Sequence, residues 1–434
     1  MPSARCLYWL GLALVVAGCE GDAVSPDSPP VPGDPGVEVG PGSASVKGVM
    51  TQGRVGATAT VLGDGRIVII GGFIPKKDAD ARAVAEGRPE AMETILDTVE
   101  IYDPATGQVT ALASDPASPQ TLYYPRTGHE ALLFPDADRI AVFGGYTQVS
   151  GVTSVSSAVE VFRIAQSDFQ AVGSMPGLSR PRVGHTASLL DYRNADGKGE
   201  VFALVAGGEG DARVSYEVWS PAGVKRVGSI AVGPRWNHRA VNVEGYYTFL
   251  VGGEDEDSTV GAIDVFDRET GAFLPNGKIP QSLALGGRVG HALAYDPVTR
   301  VVYVTGGYTN KARTALEPRI EVISTETGTG LAPPTANFRL DSARAYHQAA
   351  TLVGGRVLVS GGLDAMGLAV SKTEVIGKTG GQVSAQAGVA LFPARFGHRS
   401  IGMSEDTAIL VGGATPLTAG GVALEAAVDV VHTP

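Results

Sequence analysis

Along this chain apolar and polar residues alternate in short runs, and polar turns separate the runs. One stretch shows the design: Asp296-Pro-Val-Thr299 is a turn, Val301-Val-Tyr-Val304 an apolar run, and Gly306-Gly307 ends it. Alternation with period two and β-branched enrichment predict strands, and a polar turn between two such runs predicts an antiparallel hairpin. Helical periodicity is nearly absent; only residues 78–96 are expected to hold a short helix.

The hairpin recurs. Arg54, Arg126, Arg182, Arg235, Arg288, Arg344 and Arg395 each lead to a glycine pair, beginning at Gly71, Gly144, Gly207, Gly252, Gly306, Gly361 and Gly412. The spacing is 17 or 18 residues in six copies and 25 in the third, whose extra length falls in the turn 191–199. After each pair comes a variable loop, then an acidic residue two positions before a large apolar one: Glu100/Tyr102, Glu160/Phe162, Glu217/Trp219, Asp264/Phe266, Glu321/Ile323, Glu374/Ile376 and Asp429/Val431. Period two puts both members on one face of a third strand. A turn such as Asp103-Pro-Ala-Thr-Gly107 and a fourth short strand complete the unit. A four-stranded sheet of this kind cannot bury both faces alone, so the units must pack face to face around an axis. Glycine is the residue for the crowded centre, and its count of 59 is well above the usual share of about 7%.

Hairpin, diglycine, acid-x-aromatic and Thr-Gly turn in series resemble the kelch family, over residues 44–434. The resemblance implies an all-β, seven-bladed β-propeller with four antiparallel strands per blade. It is superficially like the propeller of galactose oxidase, but the tyrosine–cysteine cross-link of that copper enzyme is impossible here, since Cys6 and Cys19 both precede the repeats. The usual fourth-strand Trp is missing, so packing there is expected to rely on Leu112, Val172 and Val227. Unit seven stops after its third strand. Residues 43–50 are therefore expected to pair with Ala427 to Val431 and complete the last blade from the other end of the chain.

Residues 1–18 read as a signal segment, with Arg5 before an apolar core from Leu7 to Val16. The ending Val16-Ala-Gly-Cys19 resembles a lipobox, which makes Cys19 the expected lipid attachment site and the membrane a partner through acyl chains. Residues 19–43, rich in Pro, Gly and Asp, read as a flexible tether. Glu20 after the cysteine, in place of the Asp that favours inner-membrane retention, points to an outer-membrane anchor in the cell envelope. The mature chain would carry net charge −12, which argues against nucleic acid.

Chemistry is sparse. His129, His185, His238, His291, His347 and His398 each lie three residues after a repeat arginine, and so form a ring rather than a metal-binding cluster. The seven arginines are expected to ring one mouth of the channel. There they would bind a carboxylate or phosphate, or each would pair with a repeat acid, the reading that matched copy numbers favour. Glu254 to Asp257 read as an exposed acidic loop, and Asp191, Asn194, Asp196 and Glu200 as a turn without the every-second-residue spacing of a calcium loop. No hydrolase or phosphate-binding motif is present, and no metal or cofactor is expected. Copies one, four and six depart from Arg-x-Gly-His, with Ala57, Asn237 and Tyr346, but add no acid or base. The leading reading is a monomeric, non-enzymatic, lipid-anchored propeller that binds a protein or glycan through loops on one face. The alternatives are an enzyme acting on a sugar acid, as some periplasmic kelch propellers do, and a structural envelope component.

Overall fold

The computed structural model describes residues 42–434, apart from 116–117, 136–137, 172, 193–198, 231–232, 244–245, 276–281, 326–337 and 380–381. The signal segment, Cys19, most of the tether, Val172, Asn194 and Asp196 lie outside the described residues. Seven antiparallel sheets form the blades of a propeller. Blade one is Thr58–Val61, Ile67–Ile70, Val99–Asp103 and Gln108–Ala111, each strand paired with the next. Blades two, three, four and six repeat this order. Blade five shows three strands, Ala292–Asp296, Val301–Thr305 and Glu321–Ser324, and the chain that follows lies largely outside the described residues.

Blade seven closes the ring. Its outermost strand is Ser43–Val49, from the other end of the chain, antiparallel to Ala427–His432, with Val46 opposite Asp429. This pairing covers the edge that a seventh blade of three strands would leave open. The long third hairpin keeps its register, with Asp191 opposite Val201, so the insertion is confined to the turn.

A separate hydrophobic cluster fills each of the seven blade interfaces. Between blades two and three, Trp219 is fully buried and meets Phe143 and Phe134 edge-on at 5.1 and 5.8 Å, while its indole donates to the Pro176 carbonyl at 2.7 Å. All seven apolar partners of the repeat acids, from Tyr102 to Val431, are buried, as the period-two argument requires. Val227 departs from expectation: it is 53% exposed, because its strand lies at the outer rim of blade three, and Tyr216, Phe266 and Phe273 fill that interface instead.

The diglycines are the joints. The second glycine of each pair donates its N–H to the carbonyl of the next blade's arginine, at 2.7–3.1 Å, and the series ends with Gly413 donating to Arg54. The first glycine has a left-handed backbone, φ +61° at Gly71, and a Cβ there would lie 2.4 Å from the Arg126 carbonyl oxygen. Only glycine permits both the conformation and the approach.

Loop one carries the expected helix, shorter than residues 78–96. Asp80 caps Ala81–Ala85 by accepting from the amides of Arg82 and Ala83, both at 3.0 Å. Val84 and Met92 pack with Val289, Tyr308, Tyr346 and Leu363, so this loop crosses the axis to blades five and six.

Candidate functional site

The repeat arginines do not line a channel mouth. All seven are at most 1% exposed. Each spans its own blade, from the carbonyl of the first glycine (Arg182 to Gly207, 2.7 Å) to the repeat acid. Arg126–Glu160 and Arg182–Glu217 meet at 2.8 Å, Arg288–Glu321, Arg344–Glu374 and Arg395–Asp429 at 2.6 Å, and Arg235–Asp264 at 2.5 Å; Arg54 pairs with Glu100. In the five blades whose repeat acid is glutamate, the second carboxylate oxygen accepts a backbone N–H just upstream of the arginine, as from Tyr123 and Ser179, both at 2.7 Å. In these five blades two buried charges thus satisfy each other and the chain around them. The fixed distance between arginine and glycine pair is the reach of this side chain.

Five of the six histidines hold adjacent blades together. His129 Nε2 lies 3.1 Å from Thr58 Oγ1, His238 2.9 Å from Thr186, His347 2.8 Å from Thr305 and His398 2.9 Å from Ser360; His291 donates to the Val251 carbonyl. In each case the partner belongs to the preceding blade. Burial drives their pKa values down, to about 3 for His185, His291 and His398, so the rings are neutral.

Around the axis lies a cavity of about 590 Å³, to which all seven blades and loop one contribute. Four residues of its inner wall occupy one repeat position, the residue after the histidine at the start of the innermost strand. In copies one, three and five this residue is Thr58, Thr186 or Ala292. In the others it is Glu130, Arg239, Gln348 or Arg399, and these four line the cavity. Their signal in the sequence is a large polar side chain at a position that is small in the other three copies, one residue beyond the point where the Arg-x-Gly-His pattern ends.

The two arginines are anchored by Nε alone: Arg239 donates to the His291 carbonyl at 3.2 Å and Arg399 to the Ala57 carbonyl at 2.7 Å. Neither makes an ion pair among the described residues, and Glu130 has no hydrogen-bond or ion-pair partner among them. Burial raises the Glu130 pKa, and the fields of Arg399 and Arg239 oppose that rise. Burial lowers that of Arg239, helped by the like charge of Arg399. The three charges share one enclosure and feel one another.

The outer wall is a polar network under loop one. Glu86, just past the helix, accepts from Tyr346 Oη at 2.5 Å and Arg313 Nε at 3.0 Å, and pairs with Arg88. Arg313 also meets Glu254 at 2.7 Å, and Asn237 donates to the same carboxylate oxygen at 3.0 Å. Glu254 is therefore buried and engaged, contrary to the exposed acidic loop expected of 254–257. Asp255 does behave as a turn residue, accepting from the amides of Asp257 and Ser258. Asn237, Tyr346 and Arg313 all have left-handed backbones, φ 54°, 56° and 53°. The first two replace the glycine of Arg-x-Gly-His, whose backbone elsewhere is left-handed at φ near +65°, as at Gly184 and Gly397. A tyrosine in that conformation is strained by about 1–3 kcal/mol, and both side chains reach this one network.

The fold and its axial cavity define a seven-bladed β-propeller whose centre carries unpaired charge. Among solved structures it is similar to the one titled "Structure of YjhT", with 16% sequence identity, a TM-score of 0.52, and coverage of 78% of this chain and 99% of that one. At that identity the likeness is one of fold. No family model matches the sequence, and no curated protein matches it.

Proposed function

We propose that this protein is a binding propeller of kelch type, lipid-anchored at Cys19 in the cell envelope, most simply the outer membrane. It takes its ligand at the loop face, in the axial cavity. The observation that carries the reading is the cavity's asymmetry. A scaffold repeated seven times needs no large polar residue after its histidines, yet Glu130, Arg239, Gln348 and Arg399 stand there. Nor does it need strained residues where glycine serves, yet Asn237 and Tyr346 replace glycine beneath loop one. Strain and unpaired polarity gathered at one concave place are what a binding site requires and a scaffold does not. Of the two partner classes expected, a glycan or its fragment suits an enclosure of this size better than a protein surface does, since small-ligand pockets span about 300–1,000 Å³. The test is native mass spectrometry of the full-length protein after incubation with a hydrolysate of envelope glycans. The wild type should retain a low-mass adduct, and Gln348→Trp, which fills the cavity, should lose it. No adduct, or an equal adduct on both proteins, overturns the reading.

A further inference from the structure

The inner wall specifies more than a cavity. Arg239 from blade four and Arg399 from blade seven each use Nε to bind a backbone carbonyl of the following blade. That bond fixes the plane of the guanidinium, and their Nη groups make no hydrogen bond among the described residues. Glu130, on blade two, is a carboxylate in the same enclosure with no donor to meet it. Elsewhere in the fold the buried arginines are matched one to one by acids. In the outer wall Arg313 is matched by Glu86 and Glu254, and Lys311 donates to backbone carbonyls of Asp255 and Glu256. The inner wall alone holds two cations against one anion.

We infer that Arg239 and Arg399 together receive the carboxylate of a small hydroxylated ligand, while Glu130 accepts a hydrogen bond from a hydroxyl of that ligand. The inference rests on the axial cavity being the binding site. One carboxylate neutralises the excess of one positive charge; a phosphate dianion overshoots it. Guanidinium groups with free Nη atoms match the two oxygens of a carboxylate, and such charge-assisted bonds strengthen where water is excluded. A ligand hydroxyl supplies the donor that Glu130 lacks, and a site built to bond a hydroxyl rejects ligands without one.

The experiment is isothermal titration of the full-length protein with lactate, gluconate and glucuronate, with glucuronamide as the uncharged counterpart and inorganic phosphate as the second anion. At least one carboxylate should bind saturably, and glucuronamide should bind at least about tenfold more weakly than glucuronate. Arg239→Met and Arg399→Met should each weaken carboxylate binding about tenfold or more, and Arg239→Lys should restore part of it. Glu130→Gln leaves two positive charges, so it should shift preference from carboxylate towards phosphate. Far-UV circular dichroism and the melting temperature establish that each variant is folded. Equal binding of glucuronate and glucuronamide, both blocked by Gln348→Trp, would leave the cavity as the site and overturn the charge assignment. Carboxylate binding untouched in both folded arginine variants, or no saturation by any of the three carboxylates at about 10 mM, an affinity too weak to involve two charge-assisted contacts, also overturns it.

Discussion

Met50 packs against Gly412 where, in the other six joints, an imidazole packs against the first glycine of the pair. A Cβ built on Gly412 would lie 3.2 Å from Met50 Cε; at Gly71, Gly252 and Gly361 the equivalent atom would meet Cε1 of His129, His291 and His398 at 2.9, 2.5 and 2.6 Å. Copy one has Ala57 in place of histidine. The chain's N-terminal strand ends beside this joint, with the Met50 amide donating to the Ala426 carbonyl at 2.8 Å, so a residue from outside the repeat fills the gap. The missing histidine of copy one and the closing strand are thus one adaptation.

Closure through that strand gives a first prediction. Deleting residues 44–50 removes the outer strand of blade seven and the Met50 plug, and the melting temperature should fall by more than about 10 °C. Deleting residues 20–40 should leave it unchanged. Met50→Ala alone should destabilise by about 2–5 kcal/mol, as for other buried methionines. Equal melting temperatures for the two deletions would show that the ring closes without the strand.

Acid should loosen the blade joints. His185, His291 and His398 have folded pKa values lowered by burial from 6.5 to about 3. The unfolded chain then binds more protons than the folded one, so their contribution is present above pH 6.5 and is lost as pH falls from 6.5 towards 3. By pH 5 each should have lost about 2 kcal/mol. Urea denaturation at pH 7 and pH 5 measures the slope, and His398→Gln should flatten it by about one proton. A slope unaffected by that substitution would mean the histidine is already solvated.

The architecture was legible because repetition multiplies weak signals. One Arg-to-Gly-Gly spacing means little, but seven locate every hairpin, and the unmatched third strand of copy seven pointed to Ser43–Val49. The pairing of arginine and acid could be counted. Their burial could not be read locally, since it depends on the stacking of neighbouring blades. The cavity wall was harder. Glu130, Arg239, Gln348 and Arg399 sit one residue past the histidine, where the alternation of an inner strand turns a side chain towards the axis, and a consensus averages that position away. The network of Glu86, Arg313, Glu254 and Tyr346 joins residues up to 260 apart in sequence, so only the folded ring brings them together.

The buried pair Arg126–Glu160 stands for all seven. Arg126→Met should destabilise by about 3–5 kcal/mol, because Glu160 is left buried without its partner. Arg126→Met combined with Glu160→Leu should recover much of that loss, since two apolar groups replace two charges. Equilibrium denaturation of the four proteins in a double-mutant cycle checks this. Strict additivity would mean that the two side chains are not coupled.

Attachment through Cys19 is tested without reference to the fold. Cys19→Ser should abolish metabolic labelling with a palmitate analogue and move the protein from the membrane to the soluble fraction. Membrane fractionation unchanged in that variant would exclude the lipid anchor.

Loop one should be separable from the ring. Its helix is held by Glu86 against Tyr346 and Arg313, and by Arg82 stacked over Tyr308 with the guanidinium 5.5 Å from the ring centre. Tyr346→Gly relieves a left-handed tyrosine while removing the hydrogen bond to Glu86. Relief of backbone strain and loss of packing act in opposite directions, each by about 1–3 kcal/mol, so global stability should change little. The local effect has no such offset. Arg88, already 48% exposed at its side chain, should become a preferred trypsin site, together with Arg82. Limited proteolysis should cut the variant within residues 82–88 faster than the wild type, with the rest of the propeller intact. Glu86→Gln, which keeps an acceptor for Tyr346 but loses the charge that holds Arg313, should show an intermediate rate. If both variants are cut no faster than the wild type, the apolar contacts of Val84 and Met92 hold the loop by themselves, and the polar network beneath it is not what secures it over the axis.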